Sequence, residues 1–107
     1  MEIRELFSNV RDIVKNMHKN VEEAEEYAEM AHKWHACPAR VASYKEMSRG
    51  HLEFNDTLKQ AYEKNMRELE GASTKEMQEI FKMVFGEWLI DIDHETKEVM
   101  AMLDTVH

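Results

Sequence analysis

Apolar residues recur along the first third of the chain at alternating steps of three and four: Ile3, Leu6, Val10, Ile13, Met17, Ala24, Tyr27, Ala31 and Trp34. That spacing is a heptad seam and predicts a long amphipathic helix. Asn20 is the polar interruption on it. A second seam runs through Tyr44, Met47, Phe54, Leu58 and Ala61, interrupted by His51, with polar Asn65 nearer the helix end. Between the two, "HACPAR" breaks the pattern at Cys37-Pro38, where Pro38 suits the first turn of the next helix. "LEGASTKE" breaks it again, with Gly71 as a C-cap and Ser73 followed by Glu76 as a capping box. Three helices are therefore predicted, over residues 2–35, 38–70 and 73–106, each about 50 Å long at roughly 1.5 Å per residue. Connections this short make successive helices antiparallel. The expected fold class is all-α, an up-down-up three-helix bundle in a single domain.

Folding the second helix back on the first around residues 36–37 sets Tyr27 against Tyr44, Ala24 against Met47, Met17 against Phe54 and Ile13 against Leu58. Small residues then oppose large ones, as interdigitated packing requires. The same register sets Asn20 against His51, so the two polar interruptions share a layer. A pivot near residue 72 brings "DIDHE", residues 91–95, to that level. Asp91 falls on an inward row with Ile80, Val84, Trp88 and Met102, flanked by His94 and Glu95. The expected layer is Asn20, His51 and Asp91, joined by His94 or Glu95 according to the rotation of the third helix. Two readings of it stay open. One is a hydrogen-bonded cluster that fixes register. The other is a divalent-metal site for Fe, Mn or Zn, with His51, Asp91 and His94 as ligands and Asn20, Ser48 or water completing the shell. Asp91 and His94 are three apart on a helix and can reach one ion.

Composition narrows the class further. Three Gly and one Pro leave few breakers, while 34% charged and 43% hydrophobic residues describe helices with solvated faces around a core. A net charge of −8 repels phosphate backbones and anionic lipid, so neither nucleic acid nor membrane is an expected partner. The start "MEIRELFSNV" lacks the pattern of a signal peptide, and one cysteine makes no internal disulfide, so a cytoplasmic setting is expected.

The stretches "EEYAEMAHKW" and "ASYKEMSRGHLEF" resemble the helical hairpin of ferritin-like proteins, and in particular small rubrerythrin-related proteins encoded in bacterial prophages. Tyr27-Ala28 matches the family's first helix, Tyr44 and Met47 its second, and His51 its metal-binding histidine. Where the family carries a glutamate seven residues before the tyrosine this chain has Asn20, and where it carries one three residues before the histidine this chain has Ser48. The resemblance thus implies a ferritin-like hairpin whose iron site lacks two carboxylates.

"IFKMVFGEWLI", residues 80–90, is apolar around nearly the whole helix circumference. A surface helix keeps a polar face, so a partner is expected to cover this one. We expect a homodimer through the third helix, with Phe81, Phe85, Trp88, Leu89 and Ile92 at the interface and Gly86 at a close helix crossing. "HKWHAC" offers His32, His35 and Cys37, one ligand short of a structural zinc set, and reads as a polar helix end. The acidic run from Glu22 to Glu29 reads as a solvated face. No phosphate loop or nucleophile elbow is present. The function expected is non-enzymatic: an accessory protein of the prophage kind acting by protein–protein association, with divalent-metal binding as the alternative.

Overall fold

The computed structural model describes residues 2–106. They form α1 (Ile3–Lys33), α2 (Pro38–Ala72) and α3 (Lys75–Thr105), an all-α up-down-up bundle. Pro38 begins α2 as the pattern predicts, its missing N–H falling where a helix has no acceptor to offer. The second break differs in detail. Gly71 stays within α2, which ends with Ser73 as its cap, and no described glycine has positive φ. The N-cap of α3 is Thr74, not Ser73, and its hydroxyl accepts from the Met77 N–H at 3.3 Å. Ser73 is already engaged, donating to the Leu69 carbonyl at the end of α2.

The three helices form a slab whose Cα atoms extend 56 × 21 × 14 Å. α1 is the shared element: α3 packs chiefly on α1 and touches α2 little. α1 therefore buries two neighbouring stripes. Leu6, Val10, Met17, Ala24 and Ala31 lie along the seam expected from the sequence. Phe7, Val14, Val21 and Ala28 form a parallel row at steps of seven; Phe7 meets Phe81 and Phe85 of α3 with ring centroids 5.3 and 5.2 Å apart. On α3 the matching row is Phe85, Ile92 and Val99, with Leu103 one turn on.

α3 ends against the other two helices. His32 Nε2 donates to the Met102 carbonyl at 2.9 Å and Lys45 Nζ to the Val106 carbonyl at 2.9 Å. Carbonyls of a last helical turn have no partner within their own helix, and the Lys45 ammonium suits that negative end. Below them Val106 is buried with Ala31 and Val41. His32 thus serves the fold, in keeping with a polar helix end at "HKWHAC".

One expectation for α3 is corrected here. Phe85 and Ile92, assigned to a dimer interface, are core residues, because α1 presents a second apolar row for them to fill. Phe81 and Leu89 are half-buried against the same core, and Trp88 is 39% exposed with its ring against Phe85. Within the chain a Cβ at Gly86 would meet nothing within 4 Å. Among the described residues no helix is long and apolar enough to cross a membrane.

The polar layer between the first two helices as candidate functional site

α2 turns a different row inward from the one its large apolar residues mark. Val41, Ser48, Asn55, Tyr62 and Leu69, at steps of seven, are buried, while Met47 and Phe54 are 43% and 54% exposed. Two polar residues thereby sit in the middle of the helix–helix contact, Ser48 at 0% and Asn55 at 7% exposure. Both find acceptors on the backbone of α1. Ser48 Oγ donates to the Ala24 carbonyl at 2.7 Å, and Asn55 Nδ2 to the Met17 carbonyl at 2.9 Å.

Asn20 and His51 do meet, at 3.2 Å from Asn20 Oδ1 to His51 Nδ1. The other end of the Asn20 amide donates to Asn55 Oδ1 at 3.0 Å. His51 Nδ1 also lies 3.3 Å from Glu23 Oε2. Both neighbours of that ring nitrogen are oxygens, so Nδ1 carries the hydrogen and divides it between them. The bonds then run in one direction, from His51 through Asn20 and Asn55 to the Met17 carbonyl, with every amide orientation consistent. Among the described residues no buried side-chain nitrogen or oxygen lacks a partner. Aromatic rings close the layer on one side. Tyr27 stacks on His51 at 5.6 Å and 15°, and on Tyr44 at 6.3 Å, so it lies between two rings of α2.

Asp91 and His94 do not join this layer. The axial level expected for them is right but the side is wrong. Glu23, beside His51, is separated by two residues, about 200° of helical turn, from Glu25. Glu25 is on the α3 side, where Glu95 and Glu98 act on it. Asp91 lines an open cleft of about 360 Å³ between α1 and α3, with Lys15, His18 and Trp88. Glu95 lies 3.5 Å from His18, and His94 pairs with Glu98 on its own helix at 3.0 Å.

The residues gathered around His51 do not make the donor set of a ferritin-like iron centre, which is built on carboxylates. Both ends of the Asn20 amide are engaged, and the Ser48 hydroxyl donates to backbone. Glu23 is the carboxylate at hand, and among the described residues no group of three His, Cys, Asp or Glu side chains is placed to hold an ion. The geometry instead holds α1 and α2 in one register, since a shift by one turn would break several of these bonds together. Asn55 is the member the sequence reading missed. Its signal is the row it shares with Ser48, bounded by Val41 on one side and Tyr62 and Leu69 on the other.

On the opposite flank of α1 the acidic run meets α3. Partial burial, then the charges of Glu29, Glu95, Glu98 and Glu22, raise the Glu25 carboxyl above its ordinary pKa. A raised carboxyl pKa means the folded state resists the charged form, so stability falls as pH rises from the ordinary value through the folded one. Glu25→Gln is accordingly expected to raise the melting temperature at neutral pH and to leave it unchanged below about pH 4. Paired thermal melts at the two pH values check this; an equal gain at both would remove the electrostatic explanation.

Compared with family models, with curated proteins and with solved structures, the chain gives no match.

Proposed function

We propose that the protein acts by associating with another protein, without catalysis of its own. The observation that carries this reading is the outer face of α3. Ile80, Met83 and Ile90 are 53%, 60% and 69% exposed and share one stripe at steps of three and seven. Three large apolar side chains held in water on one helix face are the mark of an interaction surface. Phe85 and Ile92 are replaced in this role by residues on the far side of the same helix. Exposed Glu79, Glu87 and Asp93 outnumber the exposed Lys82 and Lys97 around the stripe. A second copy docked there would bring carboxylates against carboxylates on a chain of net charge −8. The partner that fits is a protein with an apolar helix or groove edged by Lys and Arg. An accessory role of the prophage kind belongs to the same reading and rests on the resemblance of the α1–α2 hairpin alone.

The test compares the immobilised protein with the variant Met83→Glu/Ile90→Glu in capture from cells that express the chain. A partner retained by the wild type, released by salt and absent from the variant supports the reading, provided the variant keeps its helical circular dichroism. Identical capture by both proteins would overturn it.

A further inference from the structure

The cleft between α1 and α3 has an apolar floor and charged walls. Val14 and Ile92, both buried, supply the floor, and Trp88 lies at one end with 39% of its surface exposed. His18 and Glu95 close the other end, 3.5 Å apart across the two helices. From Trp88 to Glu95 is two turns of α3, about 10 Å. The volume of about 360 Å³ belongs with sites for small molecules, which run from roughly 300 to 1,000 Å³ and are likewise mostly apolar with a few polar groups. Lys15 of α1 and Asp91 of α3 stand on opposite walls, and neither has a hydrogen-bond or ion-pair partner among the described residues. The other ionisable groups at the cleft are engaged. Glu95 faces one ring nitrogen of His18, and the other ring nitrogen is 2.9 Å from Glu22.

We infer that this cleft binds a free α-amino acid with an aromatic side chain. Its carboxylate pairs with Lys15, its ammonium group pairs with Asp91, and its ring lies on the floor against Trp88. The two unpaired charges choose that class of ligand. A neutral apolar molecule would fill the floor and leave both charges without a partner. An organic anion would answer Lys15 and set its charge against Asp91, while an organic cation would do the reverse. A zwitterion with an apolar body satisfies both walls and the floor together, through hydrogen bonds strengthened by charge on each side. The ring is chosen by Trp88, since two aromatic side chains gain more from contact than their buried area alone provides. Such a ligand touches α1 and α3 at once and so fastens the less extensive of the two contacts that α1 makes.

The experiment follows Trp88 fluorescence in the full chain carrying Trp34→Phe, which leaves a single tryptophan and keeps a ring beneath Arg40. The probes are L-phenylalanine, phenethylamine and hydrocinnamate, which share the ring and differ in charge. L-phenylalanine is expected to bind saturably in the millimolar range. Each analogue binds roughly threefold to fivefold more weakly, the worth of one exposed ion pair. Lys15→Ala is expected to bind phenethylamine as well as it binds L-phenylalanine, and Asp91→Ala to bind hydrocinnamate as well. Helical circular dichroism stays undiminished in both, because both side chains are exposed. No saturable signal from any probe through the millimolar range would overturn the inference. Equal affinity of the parent chain for all three probes would overturn it as well, leaving an apolar slot that does not read charge. Discrimination that survives in either variant would do the same. Met83 and Ile90 lie outside the cleft, so failure of the capture proposed for the outer face of α3 leaves these titrations unaffected.

Discussion

Phe85→Ala is expected to cost about 3–5 kcal/mol of folding stability. Phe85 is fully buried, and its ring meets Phe7 at 5.2 Å and the edge of Trp88 at 5.9 Å. Its loss leaves a cavity at the contact that fastens α3 to α1, and little packing between α2 and α3 exists to compensate. For a small domain of about 5–15 kcal/mol total stability, that is a large fraction. Urea unfolding followed by circular dichroism measures it. The control is Ile90→Ala on the outer face, expected to lie within about 0.5 kcal/mol of the wild type. Equal effects at the two positions would mean that α3 does not dock as described.

Asn55→Asp tests the polar layer, since it changes shape hardly at all. The amide nitrogen that donates to the Met17 carbonyl becomes an oxygen, and at 7% exposure an ionised carboxylate there would face that carbonyl with little water to screen it. A loss of about 3 kcal/mol at neutral pH is expected. Its pH dependence has a definite sign. The folded state resists ionisation, so the folded pKa of the new carboxyl lies above the ordinary value of about 3.9. Protonated, it can donate to Met17 as the amide did. The deficit is therefore small in acid, grows as pH rises from the ordinary pKa to the folded one, and is constant above that. Melting temperatures of variant and wild type across this range would converge in acid. Parallel curves would show that the bond to Met17 contributes no specificity.

The behaviour of Asn55 also shows where a sequence reading stops. Breakers and periodicity gave three helices and their direction, because Pro38 and the polar "GASTKE" segment act locally. The α1 seam was legible because its residues are both apolar and buried. On α2 the two properties separate. Tyr44, Met47, Phe54 and Leu58 mark the most apolar row, yet Ser48 and Asn55, a row away, sit in the contact. Ala24 on α1 allows the helices to approach, and the two polar side chains reach the α1 carbonyls that closeness exposes to them. A hydrophobicity pattern cannot register that benefit, since it depends on the opposing backbone. Asn20 and His51 were still paired correctly, because their axial level follows from the short loop. Asp91 was not, because loop length fixes level and leaves the rotation of α3 open. That rotation is set by Phe7, Val14 and Val21, a second α1 row that the single-seam reading passed over.

The placement of α1 between two helices that scarcely touch each other also orders the way the molecule comes apart. The α1–α2 hairpin is local in sequence and holds its own polar layer, so it can persist as a cooperative unit by itself. α3 joins α1 only across the full length of α2, and its loop-closure entropy must be met before Phe85 and Ile92 find their row. Opening therefore begins with α3 peeling from α1, and backbone amides of α3 exchange with solvent through a smaller excursion than those of the hairpin. The transient product of that excursion is a helix pair with Phe7, Val14 and Val21 bared, next to a free helix carrying apolar residues on both of its faces.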